Sequence, residues 1–169
     1  MTERPDETQW LSTAELADWM AFNAVLLTLP AALDAQLQRD AGLSFFEYLV
    51  LAGLSQAPER TVRMSELAAI ANGSLSRLSH TVARLERRDW VRRRPLPEDG
   101  RITTATLTDL GFQKVEQAAP GHVTAVRRLV LDVLGDGRLR QLGDASRAIV
   151  AGLAEPSARY INSRLQAPG

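Results

Sequence analysis

Residues 64–108 read MSELAAIANGSLSRLSHTVARLERRDWVRRRPLPEDGRITTATLT, and this stretch decides the fold. Apolar residues at helical spacing predict a short helix over 65–72, a break at Asn72-Gly73, and a longer amphipathic helix over 74–88. Leu75, Leu78, Val82 and Leu85 fall at i, i+3, i+7 and i+10, one stripe expected to pack inward. A basic strand over 91–95 follows, then the turn Leu96-Pro97-Glu98-Asp99-Gly100-Arg101, then a β-branched strand over 102–107. Proline fixes φ in that turn, and Asp-Gly suits a tight hairpin. Helix, turn, helix, strand, tip and strand, in that order, spell a winged helix-turn-helix.

The outward side of the second helix carries the chemistry. Gly73 is expected to supply a positive φ between the helices, and Ser74 to cap the second one. Ser76, Arg77, Ser79, His80 and Arg84 then give a small polar first turn with basic residues along the exposed side. Such a face suits the major groove, where Ser and His bond base edges and Arg reads guanine or holds phosphate. Arg84 is open to either of those two roles. Arg101, just past the hairpin tip, has the position and charge to enter a narrow minor groove, and Asp99 to orient a neighbouring arginine. Arg92, Arg93 and Arg94 alternate along a strand, so at most two share a face; Arg94 is taken as the contact. An amphipathic helix with arginines is by itself commonly a solvated surface helix. The ordered combination is what makes the reading specific.

The run Arg84-Leu85-Glu86-Arg87-Arg88-Asp89-Trp90-Val91-Arg92-Arg93, the wing Asp99-Gly100-Arg101, and Leu107-Thr108-Asp109-Leu110-Gly111 together resemble the MarR family of bacterial transcriptional regulators. The family pairs an Asp-x-Arg wing with a Leu-Thr-x-x-Gly entry into a dimerisation helix. The resemblance spans roughly residues 16–153. It implies a homodimer that represses nearby genes and is released by a small molecule. It also implies a ligand pocket near Trp19, Phe22, Phe46 and Tyr48, although ordinary core and dimer packing is the favoured account of aromatics there. Three positions depart from the family pattern: Ser79-His80 replaces Thr-Arg, Asp89 replaces a glycine after the recognition helix, and Gly100 replaces the wing's middle arginine. Asp tolerates the left-handed region better than most residues, so its position keeps the turn feasible.

The 169 residues suffice for one domain with a core, and 45% hydrophobic content is that of a globular chain. Net charge is zero, but its distribution is not even. Residues 60–101 hold ten arginines against five acids, a net of +5, so the rest carries −5. A basic module between acidic flanks is what local phosphate binding requires. There is no cysteine, which excludes disulfides, thiolate metal sites and thiol redox sensing. The two histidines, His80 and His122, are far apart and form no metal spacing; His122 is expected at a helix start on the surface. No cofactor is implied. No signal peptide or apolar run of 18 residues is expected, which places the protein in the cytoplasm without a membrane partner.

Outward from the central module, residues 1–9 are expected to be disordered. Residues 10–56 form N-terminal helices for dimerisation and core, 57–108 the winged helix-turn-helix region, and 109–169 C-terminal dimerisation helices. Ser12-Thr13-Ala14-Glu15 is a capping box with Leu11 and Leu16 as a staple, opening a helix to about Arg39 that Pro30 should kink or split. Gly42 closes it. Ser44-Phe45-Phe46-Glu47 is a second capping box, and the nearly all-apolar helix 45–55 is the expected buried centre. Residues 61–63 add an edge strand. Thr108 caps a long helix, expected to be interrupted at Pro120-Gly121; a turn follows at 135–137, then a helix over 138–153 and a short helical tail over 157–165.

The fold class is therefore mainly α with a small β-hairpin wing: a winged helix-turn-helix domain plus a helical dimerisation layer. The partners are double-stranded DNA carrying a pseudo-palindromic operator, a second copy of the chain, and a small-molecule effector. Two recognition helices about one DNA turn apart, roughly 34 Å, read such a site. An enzyme is disfavoured: the chain has no Gly-x-Ser-x-Gly, phosphate loop or Cys–His pair. A ligand-independent or activating regulator, and a winged helix used for protein contacts, stay open as alternatives.

Overall fold

The computed structural model describes residues 8–96 and 99–153. The tip residues Pro97 and Glu98 and the helical tail expected over 157–165 lie outside the described residues, as do the first seven residues of the segment expected to be disordered. Eleven elements follow in order: α1 (Thr13–Ala41), α2 (Phe45–Ser55), a 3₁₀ turn (Pro58–Arg60), β1 (Thr61–Arg63), α3 (Met64–Ile70), α4 (Leu75–Arg87), β2 (Val91–Leu96), β3 (Asp99–Leu107), α5 (Asp109–Val126), a π-helical turn (Arg127–Leu131) and α6 (Asp132–Gly152).

The helix ends are set by local chemistry. At the start of α1 the Ser12 hydroxyl accepts from Glu15 N–H, while Ser12 N–H donates to Glu15 Oε2 at 2.8 Å, and this backbone bond, with Ser12's side chain, holds the Glu15 carboxyl below its ordinary pKa. Leu11 and Leu16 remain exposed beside this cap. Gly42, at φ 61°, ends α1, with bonds from Gly42 N–H to Gln38 O and Leu43 N–H to Leu37 O. Ser44 and Glu47 form the reciprocal box of α2. Thr108 caps α5 by accepting from Gly111 N–H at 3.0 Å.

The core lies where α2, α3, α4 and the sheet meet. Leu37, Leu43, Val50, Leu51, Leu54, Leu67, Leu78, Val82, Leu85 and Ala105 are completely buried. β1, β3 and β2 form an antiparallel sheet in that spatial order, with Val62 opposite Ala105, and Val91 opposite Leu107. These alternate residues face the core, and the pattern of period two turns Arg92, Arg94, Thr104 and Thr106 to the other side, where Thr104 is nonetheless buried and its hydroxyl donates to Arg94 O at 3.1 Å. The edge strand expected at 61–63 is therefore present.

Several expectations are corrected. Pro30 does not divide α1, and Pro120 does not interrupt α5. A proline removes one ladder bond, and the bonds of the turns on either side carry these helices through. The irregularity after α5 is instead the π-turn at Arg127–Leu131, and the backbone leaves helical geometry at Gly135 (φ 66°, ψ 170°). α1 also meets the length and composition of a membrane-crossing helix, with a mean hydropathy of 1.5 over 18 residues, contrary to the expectation that no such run exists. Compact units divide within α1, between Ala32 and Leu33. In the first of them Leu16, Trp19, Met20, Val25, Leu26 and Leu27 are exposed.

Candidate nucleic-acid interface

Helix α4 is anchored by Leu78, Thr81, Val82 and Leu85, all buried. Leu75 was expected on the same stripe but is 56% exposed. It stands one turn ahead of Leu78 at the helix start, and the buried arc is centred toward Thr81, on the other side. The Ser74 hydroxyl accepts from Arg77 N–H at 3.2 Å, the expected cap. Ser76, Arg77, His80 and Arg84 are exposed on the outward side.

The turn before α4 differs from expectation in one residue. The positive φ belongs to Asn72, at 49°, and Gly73 has none. Gly73 is needed for closeness: a Cβ there would lie 2.6 Å from the Phe46 ring. Arg77 stacks over the same ring, its guanidinium carbon 4.1 Å from the ring centroid. Phe46 thus supports the recognition helix from below.

Arg84 is held by the protein. Its Nη2 and Nε lie 3.3 and 3.4 Å from Glu47 Oε1, while Glu47 also closes the α2 cap. The Arg84 side chain remains half exposed. Glu47 was absent from the candidate residues, since its link to Arg84 crosses 37 positions. Ser79 is half-buried and its hydroxyl lies 3.5 Å from Arg93 Nη1. Arg93 itself turns inward to α4: its Nε and backbone N–H donate to the two Glu86 oxygens at 2.8 and 2.9 Å. Burial pushes the Glu86 carboxyl up, but the Arg93 hydrogen bonds and charge outweigh it and hold the pKa below 4.5. The α4–wing angle is therefore fixed by a paired, hydrogen-bonded contact.

Arg92 and Arg94 face the other way, both exposed; Arg92 pairs with Asp89 at 3.4 Å. At the wing tip, Asp99 Oδ1 accepts from Arg101 N–H at 3.0 Å, so Asp99 orients the Arg101 backbone, and Arg101 is exposed. Asp89 takes the left-handed conformation (φ 55°) where the family pattern has glycine, and its carbonyl accepts from the Thr108 hydroxyl at 2.6 Å. Gly111 ends the Leu-Thr-x-x-Gly signature for a steric reason: a Cβ there would meet the Trp90 carbonyl oxygen at 2.1 Å.

Of the four aromatics expected around a ligand pocket, Trp19 and Phe22 lie in the first compact unit and Phe46 and Tyr48 in the second. Trp19 and Phe22 stack with centroids 6.2 Å apart, Trp19 being half exposed. Phe46 packs on the α4 turn as described. Tyr48 is buried against His122, centroids 4.5 Å apart, and burial pushes its phenol pKa up. His122 is not the surface residue expected. It lies between Tyr48 and Phe45, its Nδ1 is buried without a partner, and burial pushes its pKa down. A 430 Å³ cleft opens at the wing base beside Arg92, Arg94 and Thr106, and none of the four aromatics lines it. Among the described residues no group of three His, Asp or Glu side chains is placed to hold a metal.

A capped, core-anchored helix with a polar outward side, locked to a hairpin wing, defines a DNA-binding transcriptional regulator of the winged-helix class. The MarR family profile matches residues 41–102. The crystal structure of Sco3205, a MarR family regulator from Streptomyces coelicolor in complex with DNA, is similar at 43% identity and a TM-score of 0.85, covering 90% of this chain and 95% of that one. AbsC from the same organism matches at 35% identity and 0.80, covering 85% and 97%. CouR from Rhodococcus jostii RHA1, bound to p-coumaroyl-CoA, matches at 25% identity and 0.70, covering 85% and 99%. No curated protein sequence matches the chain. The chain belongs to the MarR family of transcriptional regulators.

Proposed function

We propose that the protein is a cytoplasmic homodimeric repressor. It binds a pseudo-palindromic operator near its own gene through the 57–108 region and is released by a small molecule. The observation that carries this reading is the outward row Ser76, Arg77, His80 and Arg84 on a helix pinned to the same core as the wing. Ser76, Arg77 and His80 read base edges in the major groove, with Ser79 behind them. Arg84 holds phosphate from its seat on Glu47. Ser74 sets the start of the helix, Arg94 meets the backbone, and Arg101 enters the minor groove with Asp99 fixing its chain. That the Sco3205 relative is seen in complex with DNA supports the DNA-binding part of this reading.

Dimerisation follows from the exposed apolar residues. In α1, Leu16, Trp19, Met20, Leu26 and Leu27 are uncovered; in α6, Leu142 and Ile149 are. Patches of this kind mark association surfaces. A second copy covers α1 in this reading, so no membrane is needed to account for its apolar length. The CouR relative is seen bound to p-coumaroyl-CoA, and release by a ligand requires only that the ligand prefer one spacing of the two reading heads.

The test is a gel-shift titration against the gene's upstream DNA at two salt concentrations, with random duplex as competitor. Specific retardation that weakens steeply with salt is expected, because phosphate contacts release counterions. No preference for that DNA, at either salt, would reject local repression. A reporter that rises with the protein would reverse the sign of regulation.

A further inference from the structure

A second cleft, of 340 Å³, opens between the C-terminal end of α1 and the last turns of α5. Gln36, Arg39 and Asp40 line it from α1, and Gly121, Thr124 and Arg128 from the other side. None of these belongs to the aromatic set, the helix-turn-helix or the wing.

Two features mark it as an incomplete binding site. Gln36 is 5% exposed, and its amide is half satisfied: Nε2 donates to Asp40 Oδ2 at 2.9 Å, while the buried Oε1 has no donor. A carbonyl oxygen in that state has lost its water and gained nothing in return. The terminal torsion of glutamine is soft, so a donor arriving in the cleft draws Oε1 toward it without moving the helix. The second feature is charge. Arg39 and Arg128 are exposed, and neither has an ion-pair partner among the described residues. Arg128 leaves the chain from the π-turn, a geometry that re-aims side chains and concentrates at functional sites. Gly121 keeps the floor low, since a Cβ there would stand 3.3 Å from Gln36 Nε2.

The cleft thus sets acceptors beside donors. Gln36 Oε1 and the Asp40 carboxylate call for an ammonium or N–H; the two guanidinium groups call for a carboxylate. A plain anion would face Asp40, and a plain amine would face two arginines. A molecule carrying both charges a few ångströms apart satisfies the whole set. We propose that this cleft binds a small zwitterion of the free amino-acid class, with its ammonium toward Gln36 and Asp40 and its carboxylate toward Arg39 and Arg128. The volume sits at the low end of small-molecule pockets, about 300–1,000 Å³, as such a ligand requires. The inference deepens the ligand-release reading and rests on it for the consequence at DNA, but not for binding itself.

Isothermal titration calorimetry of the full chain with the common L-amino acids tests it, alongside the matching carboxylic acids without the amino group and the amines without the carboxylate. At least one amino acid is expected to bind, with both one-charge analogues weaker by roughly tenfold or more. Gln36→Leu and Arg128→Ala are each expected to weaken binding by a similar factor. Gln36→Leu removes the unpaired oxygen, so its melting temperature without ligand should hold or rise. A residue kept only for its link to Asp40 would instead lower the melting temperature and leave affinity unchanged. Absence of binding by every amino acid, equal binding of a one-charge analogue, or wild-type affinity in both variants overturns the proposal. Binding that leaves operator affinity unaltered keeps the site and removes the effector role. A chain that fails to bind DNA at all defeats the regulator reading while calorimetry still decides this one.

Discussion

Helix α4 and the first half of α1 are both rich in leucine, and their leucines meet opposite fates. In α4 two of three, Leu78 and Leu85, are completely buried, as is Val82 between them; in α1 Leu16, Leu26 and Leu27 are all uncovered. The difference lies in what surrounds them in sequence. Polar residues separate the α4 leucines into one stripe, so the helix has a single buried side and a single working side. Residues 16–27 of α1 are apolar around most of the helix, and their own chain leaves many of them in solvent. Amphipathic contrast belongs to a helix that finishes its packing within one chain. Apolar residues all round belong to one that finishes it elsewhere.

The largest effect that sharpens this contrast comes from truncating the α4 stripe. Leu85→Ala removes a fully buried side chain and should cost about 2–5 kcal/mol of stability, read from urea unfolding of the intact protein. A loss below ~0.5 kcal/mol would mean that the stripe is not the anchor. Leu27→Glu tests the other side. Leu27 is 70% exposed, so the fold of the single chain should shift by no more than about 0.5 kcal/mol. Dimer dissociation by sedimentation should weaken by about 2 kcal/mol or more, as for a charge placed in an interface centre. Unchanged self-association would remove α1 from the dimer surface.

Two smaller effects separate reading from scaffolding on the DNA side. Arg101→Ala should weaken operator binding by about 1–3 kcal/mol with no change in melting temperature, because Arg101 is exposed and only its backbone is tied to Asp99. An affinity equal to wild type in a well-folded dimer would withdraw the wing from the interface. Ser74→Ala should cost about 1 kcal/mol of stability through the lost cap, since the Ser74 hydroxyl accepts the Arg77 N–H. A loss of DNA affinity with stability intact would turn Ser74 from a cap into a contact.

Most of the fold was legible in the sequence because its signals are local. The capping box Ser44–Glu47, the Thr108 cap and the α4 stripe act within three or four residues, where the alphabet of side chains is direct evidence. The rest depended on contacts between distant segments. Glu47 reaches Arg84 across 37 positions, and Arg93 is turned from a candidate surface residue into the clasp between wing and helix by Glu86. Gly73 illustrates the same limit: in sequence a glycine at a turn signals conformational freedom, whereas here the Phe46 ring demands its missing Cβ and Asn72 carries the positive φ. Pro120-Gly121 reads locally as a helix start, which would put His122 at the surface; because α5 runs unbroken, His122 falls against Tyr48.

The same histidine supplies the smallest of the expected effects. His122 is pressed between Phe45 and Tyr48, and burial holds its pKa below the ordinary 6.5. The unfolded chain therefore takes up the proton before the folded one does. Stability from keeping His122 neutral is complete above about pH 6.5 and falls as pH drops below it, toward the folded value. Tyr48, whose pKa is raised, stays neutral throughout, and the Glu86 and Glu15 carboxyls, both lowered from 4.5, lose their contribution only at more acid pH. Between about pH 7.5 and pH 5.5 the slope belongs to His122 and, being an aromatic contact, should be flattened in His122→Phe. Urea midpoints of both proteins across that window decide it. Parallel slopes would mean that His122 reaches solvent when protonated, and that the α2–α5 contact opens at low cost.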